Sequence, residues 1–159
     1  MEDNYDYLIL RESLVLGIPV IDKQHANLVR IANNLQFACQ NNTKSTTHRF
    51  MQAVREAIDF VRQHFHTEEK LMLLSSYPDY REHKREHGDF IWEILNNSKE
   101  FQDGQNFLPQ KFVRFLNEWI KYHIGVSDKA FADFFITVNK TGKLRMVLAD
   151  KPEVSTQSA

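Results

Sequence analysis

Four long segments of this chain place apolar residues three and four positions apart, the spacing that defines one face of an α-helix. The segments run roughly over residues 20–40, 45–74, 79–101 and 109–138, and nothing between them has the alternating pattern of a strand. Four amphipathic helices joined by short connections pack most economically as an antiparallel bundle. We therefore predict an all-α, up-down-up-down four-helix bundle with an N-terminal arm and a C-terminal extension.

The length of 159 residues fits a single domain with a sizeable core. We predict that the bundle domain occupies residues 1–140, of which 1–18 form the N-terminal arm. Residues 141–159 form the C-terminal extension, and its end has the polar composition of a disordered tail.

Composition excludes several classes of partner. The chain has 20 Lys+Arg against 21 Asp+Glu, so no net charge favours nucleic acid or an anionic membrane. No apolar run approaches the ~20 residues of a membrane helix, and the acidic N-terminus is a poor signal peptide. A single cysteine, Cys39, excludes an internal disulfide. We predict a cytoplasmic protein without a nucleic-acid partner or membrane insertion.

Each predicted helix interrupts its apolar face with residue types that bind metals. Residues four apart on a helix differ by only about 40° in direction, so such pairs project together. The same arithmetic directs His48, His66 and Glu69 away from the others. The seven candidate ligands are His25 in the first segment, His64 and Glu68 in the second, His83 and His87 in the third, and His123 and Asp128 in the fourth.

The last pair is five residues apart, which corresponds to about 140° on a regular helix. Either the helix is locally widened at this point, or His123 and Asp128 approach the site from different directions. Gly125 between them would permit a widened turn, and such turns often occur at functional sites.

A carboxylate on an apolar helix face costs several kcal/mol unless it is paired or bound to a metal. No facing lysine or arginine stripe is available to neutralise Glu68, whereas a dication would also take up the imidazole lone pairs. A lone inward histidine is more often an ordinary core residue, but four such groups in register on four helices indicate a metal site. Five imidazoles and two carboxylates suit two first-row metal ions that share bridging ligands.

The motifs that carry these residues closely resemble those of the hemerythrins, particularly the single-domain bacterial members. They are IDKQH at 21–25, HFHTEEKLM at 64–72, HKREH at 83–87 and HIGVSD at 123–128, and the similarity extends over about 14–135. The resemblance implies a non-haem di-iron centre with an oxo or hydroxo bridge. It assigns His83, His87 and His123 to one iron, His25 and His64 to the other, and Glu68 and Asp128 to bridging positions.

The resemblance further implies that the iron with two histidines has an open position where dioxygen binds, walled by Trp119, Ile120 and Ile124. Phe65 and Trp92 are predicted to be core residues only. We predict reversible dioxygen binding for transport, storage or delivery by a monomer that is not an enzyme, with an oxygen-consuming protein as a possible partner. The alternatives are a di-iron oxygen or redox sensor, or an oxidase, peroxidase, nitric-oxide or iron–sulfur-repair enzyme.

Overall fold

The computed structural model describes residues 14–40, 44–102 and 109–141, and within these ranges every long element is helical. The predictions for Cys39 and His48 concern side chains outside the described part of the chain. The elements are α1 (Pro19–Gln40), α2 (Lys44–Ser75), α3 (Tyr80–Gln102), α4 (Pro109–Tyr122), a π-helical segment (His123–Asp128) and α5 (Lys129–Lys140). No strand occurs in the described ranges, which confirms the predicted all-α class.

Local sequence explains where several helices begin and end. Both α1 and α4 begin with proline, which is well tolerated in the first turn because it lacks the amide hydrogen that would be unsatisfied there. The end of α2 is closed by Ser76, which has a φ of 56°, and by a hydrogen bond of 2.9 Å from Tyr77 N–H to the Met72 carbonyl. This arrangement is the Schellman motif, and Pro78 follows it as a further stop signal.

The fourth helix of the bundle consists of α4, the π-helical segment and α5 in sequence. The flanking residues Tyr122 and Lys129 both keep right-handed helical backbone angles, so the rod continues through the widened turn. Its end at Lys140 lies two residues beyond the predicted limit near Val138.

The direction of the helices follows from which residues meet. His25 near the start of α1 lies 3.1 Å from Asp128 at the end of the π-helical segment and 4.0 Å from Glu68 in the last third of α2. His83 in the first turn of α3 also contacts both carboxylates. Neighbouring helices therefore run in opposite directions, as predicted.

In the part of the chain that the structure describes, the core has two apolar clusters, and the seven candidate ligands lie between them. One cluster contains Phe50, Val54, Phe65, Phe90 and Leu116, among others. The other contains Ile21, Met72, Tyr77, Ile124 and Phe131, among others. Each fully buried large apolar side chain contributes roughly 1.5–3 kcal/mol to the free energy of unfolding. The two clusters therefore stabilise the bundle on either side of the buried polar layer of ligands.

The structure also tests the predictions for the N-terminal arm and for Trp92. Leu14, Leu16 and Ile18 at the end of the predicted N-terminal arm are buried, whereas residues 1–13 and 142–159 lie outside the described ranges. Trp92 was predicted to be a core residue and this prediction is wrong, because its side chain is 64% exposed on α3. Within the described part of the chain, no helix has both the length and the apolar content needed to cross a bilayer.

Candidate metal centre

All seven predicted ligand residues meet at one buried place between the four helices. Their relative exposure is 3% or less, and that of His25, Glu68 and Asp128 is 0%. The donor atoms form two groups, and within each group they lie within 4.8 Å of one another. We call these the three-histidine group (His83, His87, His123, Glu68, Asp128) and the two-histidine group (His25, His64, Glu68, Asp128).

The two carboxylates belong to both groups, because each reaches histidines from several helices. Glu68 Oε2 lies 3.5 Å from His64 Nε2 on its own helix and 3.3 Å from His87 Nε2 on α3. Asp128 Oδ2 lies 3.1 Å from His25 Nε2, and its Oδ1 lies 3.2 Å from His83 Nε2. A carboxylate placed in this way can bridge two cations.

The structure selects one of the two explanations for the spacing of His123 and Asp128. The residues from His123 to Asp128 form a π-helical segment, and the Nε2 of His123 lies 3.0 Å from the Oδ1 of Asp128. The predicted local widening is therefore confirmed. The conformation at Gly125 does not itself require glycine, because its φ is not positive and a Cβ atom added there would meet nothing within 4 Å.

The chemistry of the donor atoms provides a test of whether a cation fits. Eight buried atoms of the cluster have no hydrogen-bond partner among the described residues, including both oxygens of Glu68 and both oxygens of Asp128. The others are Nδ1 and Nε2 of His25 and the Nε2 atoms of His64 and His83. Buried polar atoms are rarely left without a partner, since the cost is about 1–3 kcal/mol each. Metal ions at the centre would satisfy nearly all of them.

The ring nitrogens of His87 and His123 strengthen this conclusion. Their Nε2 atoms face each other at 3.1 Å, while each Nδ1 lies beside a carboxylate oxygen that can only accept a hydrogen bond. Two neutral rings arranged in this way direct their Nε2 lone pairs at one another. The contact is favourable only with a proton or a metal cation between them, so the residues fit the metal ions implied by the sequence.

Without a bound metal, protons on the histidines can offset part of the negative charge of the two carboxylates. Burial opposes charge on Glu68, but His64, His83 and His87 lower the pKa of this carboxyl to about 2. The pKa of Asp128 is likewise well below its usual range, chiefly because His123 outweighs the effect of burial. Burial opposes the protonation of His123, yet Asp128 and Glu86 raise the pKa of its imidazole to about 10. Burial lowers the pKa of His64.

Three residues that the sequence analysis did not select support the ligand histidines from outside. We call them the outer partners. Gln24 Oε1 accepts a hydrogen bond from His64 Nδ1 at 3.1 Å. Glu69 Oε1 accepts one from His87 Nδ1 at 3.2 Å, and Glu86 Oε2 accepts one from His123 Nδ1 at 3.1 Å. These bonds direct each Nε2 at the centre.

A simple sequence signal could have identified the outer partners. Each is adjacent in sequence to a ligand of its own helix and contacts a ligand of the next helix along the chain. Glu69 was predicted to face away from the site into solvent, and this is wrong, because its side chain is 19% exposed and pairs with His87. The prediction that His66 faces away from the site agrees with its exposed side chain.

Of the residues predicted to wall an oxygen pocket, Trp119 contacts a ligand histidine directly. The indole of Trp119 stacks on the imidazole of His123, with ring centroids 4.1 Å apart and an interplanar angle of 17°. Ile120 and Ile124 are buried in the second apolar cluster. Phe65 is buried as predicted and also stacks on His87 with centroids 3.7 Å apart, so it is a wall of the site as well as a core residue.

Comparisons with known proteins agree with this geometry. The family model described as "Hemerythrin HHE cation binding domain" matches residues 16–134. A bacteriohemerythrin of Stenotrophomonas maltophilia is 31% identical over 126 residues, which cover 79% of this chain and 80% of that protein. A bacteriohemerythrin of Clostridium acetobutylicum is 29% identical over 127 residues, which cover 79% of this chain and 98% of that protein.

A solved structure titled as wild-type hemerythrin superimposes on this fold with a TM-score of 0.72 and 25% sequence identity. The superposition covers 80% of this chain and 98% of that chain. The matched range of the family model contains all seven candidate ligands.

Proposed function

This chain belongs to the hemerythrin family, and on that premise we propose that it binds dioxygen reversibly at a non-haem di-iron centre, for oxygen transport, storage or delivery. The family binds non-haem iron and dioxygen, and the buried histidine–carboxylate cluster could hold metal ions. The observation that carries the proposal is the division of the donors into two unequal groups that share both carboxylates.

We assign His83, His87 and His123 to one iron and His25 and His64 to the other. Glu68 and Asp128, which belong to both donor groups, would be ligands shared by the two ions. One ion would then have three terminal histidines and the other two, which would leave the second with an open position. A bound iron pair would supply the two electrons that dioxygen takes up on binding and would recover them on its release.

The composition of the donor set favours a binding protein over an enzyme. Ferritin-like di-iron sites use more carboxylates, from Glu and Glu-x-x-His motifs. This cluster has five imidazoles and two carboxylates, so it offers fewer anionic donors to stabilise highly oxidised iron. It also leaves fewer exchangeable positions for a second substrate. Reversible binding of one small ligand is therefore the function that the donor set supports best.

The surrounding side chains have the task of keeping water away from the open position. Ile120 and Ile124 are 4% and 1% exposed, and the ring of Phe65 packs against His64 of the two-histidine group, with ring centroids 5.7 Å apart. An apolar surrounding of this kind restricts solvent access and slows the loss of a reduced oxygen species. We propose that the protein acts as a monomer in the cytoplasm and passes oxygen to an oxygen-consuming partner protein.

The decisive experiment records optical spectra of iron-loaded protein through repeated cycles of oxygen and argon. We expect a charge-transfer band that appears with oxygen and disappears with argon over several cycles, at two irons per chain. Irreversible conversion to the diferric form in the first cycle would contradict the carrier function and favour an enzyme or a redox sensor.

A pair of histidine variants tests the ligand assignment by iron content. His64→Ala removes one of two terminal histidines from the two-histidine group, so we expect no more than one iron per chain. His66→Ala is the matched control, because His66 is two residues away on the same helix and is exposed. Two irons in both variants would contradict the assignment of His64.

A further inference from the structure

The outer partners of the two donor groups differ in charge. In the three-histidine group, His87 and His123 each donate a hydrogen bond to a carboxylate, from Glu69 and Glu86 respectively. In the two-histidine group, His64 donates to the neutral amide of Gln24, and Nδ1 of His25 has no hydrogen-bond partner among the described residues. The anionic support is therefore confined to one side of the centre.

The carboxylates of Glu86 and Glu69 also differ from each other. Glu69 forms an ion pair of 3.0 Å with Lys84, which offsets part of its charge. Within the described residues, Glu86 forms no ion pair with lysine or arginine. Its Oε2 accepts hydrogen bonds both from His123 and, at 2.7 Å, from the Ser127 hydroxyl, so it is held against the π-helical segment.

A carboxylate that accepts a hydrogen bond from the Nδ1–H of a ligand histidine makes the coordinating Nε2 a stronger donor. A stronger donor and a nearby negative charge both stabilise a ferric ion over a ferrous ion. The effect is greatest where the carboxylate charge is not offset by a cation. The stabilisation of ferric iron by Glu86 through His123 should therefore be larger than that by Glu69 through His87. Gln24, which acts through His64, should stabilise ferric iron least.

We propose that Glu86, assisted by Glu69, is a positioning residue that makes the three-histidine iron the first of the two to be oxidised. This rests on the proposed di-iron centre but not on its ability to bind oxygen reversibly. When the diferrous protein gives one electron to an electrode, that electron leaves the iron held by His83, His87 and His123. The second electron leaves the iron held by His25 and His64.

The test measures the two one-electron reduction potentials by mediated potentiometric titration under argon, with iron content and circular dichroism for each variant. Glu86→Gln keeps the shape of the side chain but removes its charge. We expect it to raise the potential of the first oxidation by about 59 mV, the one-electron equivalent of a tenfold change. Glu69→Gln should raise the same potential by less. Gln24→Glu adds a carboxylate beside His64 and should lower the potential of the second oxidation.

Glu82→Gln is the matched control, since Glu82 lies four residues from Glu86 on α3, is 62% exposed and pairs with Arg85. Equal shifts in Glu82→Gln and Glu86→Gln, or a Glu86→Gln shift confined to the second oxidation, would overturn the proposal. If Glu86→Gln does not retain two irons, Glu69→Gln and Gln24→Glu decide the question, because they must shift different steps in opposite directions. Wild-type protein that holds two irons but fails to bind oxygen reversibly would refute only the proposed carrier function.

Discussion

The ligand pairs of α2 and α3 differ from the pair in the π-helical segment in how the backbone directs them to the centre. His64 with Glu68, and His83 with His87, need only a regular helix in which the partners are four residues apart. His123 and Asp128 need a widened turn, and that turn is held by the contact of Ser127 with Glu86 on another helix. The first two pairs are therefore fixed by local sequence, and the third depends on the tertiary structure.

Removal of a shared carboxylate should have the largest effect on iron binding. One of these carboxylates belongs to a regular-helix pair and the other to the π-helical segment, so the two variants compare the two kinds of pair directly. In Glu68→Ala and in Asp128→Ala, both donor groups lose a member, so we expect iron content to fall from two to at most one per chain. Iron analysis after anaerobic reconstitution measures this. The controls are Glu56→Ala and Asp133→Ala, which remove exposed carboxylates from α2 and α5.

If Asp128→Ala retained two irons while Glu68→Ala did not, the π-helical segment would contribute no bridging ligand. The widened turn would then not be needed to complete the metal centre.

The second prediction concerns the stability that an aromatic ring beside each kind of pair provides. Phe65 stacks on His87 and is 4% exposed, so Phe65→Ala should reduce the free energy of unfolding by about 3–5 kcal/mol. Trp119 stacks on His123 but is only half-buried, so Trp119→Ala should reduce the free energy of unfolding by less than Phe65→Ala does. Urea unfolding of the metal-free variants measures both changes. Phe37→Ala, at a side chain that is 60% exposed, should stay within about 0.5 kcal/mol of wild type.

The third prediction concerns pH, because His123 in the π-helical segment and His64 in α2 carry opposite pKa shifts. The pKa of His123 is raised to about 10 in the metal-free protein, so its ring carries a proton at pH 7 that a metal must displace. The lowered pKa of His64 leaves that ring neutral at pH 7. We expect the affinity for ferrous iron to fall about tenfold, or about 1.4 kcal/mol, for each unit of pH below 7 through His123 alone.

Competition with a chromophoric chelator measures the affinity, and nuclear magnetic resonance of the metal-free protein measures the two pKa values. The raised pKa of His123 also stabilises the metal-free fold fully below about pH 6.5, and this contribution is lost as the pH rises through about 10. A His123 ring that titrates near 6.5 would contradict both expectations.

The smallest predicted effect tests whether the widened turn needs a flexible residue. Gly88 follows His87 in regular α3, and Gly125 lies in the π-helical segment, yet a Cβ atom at either would meet nothing within 4 Å. Alanine at either position should therefore stabilise the protein by about 0.5–1 kcal/mol through helix propensity, without loss of iron. Thermal unfolding of both variants measures the difference. A stabilised Gly88→Ala beside a destabilised Gly125→Ala would mean that the turn requires glycine.

The four helices and the convergence of the seven ligand residues could be predicted from the sequence because both follow from helical periodicity. The choice between a widened helix and two directions of approach could not, since it depends on contacts such as that between Glu86 and Ser127, 41 residues apart. Glu69 was missed because its position, about 100° round the helix from Glu68, was taken to face solvent, whereas it contacts His87 on α3. The sequence analysis made no prediction for Gln24 or Glu86.

The prediction for Trp92 failed for a different reason. Two positions after the buried Phe90, a residue on a regular helix lies about 200° away and faces outward. The prediction followed the hydrophobic character of the indole and ignored its angular position.

The placement of the two tryptophans gives the protein a built-in optical reporter. Trp119 rests on the ring of His123, whereas Trp92 is 64% exposed on the outside of α3. An absorbing metal ion bound by His123 would quench the emission of Trp119 at close range and leave the red-shifted emission of Trp92 nearly unchanged. In a Trp92→Phe variant, the remaining tryptophan fluorescence would therefore report occupancy of the three-histidine group, in real time and at low protein concentration.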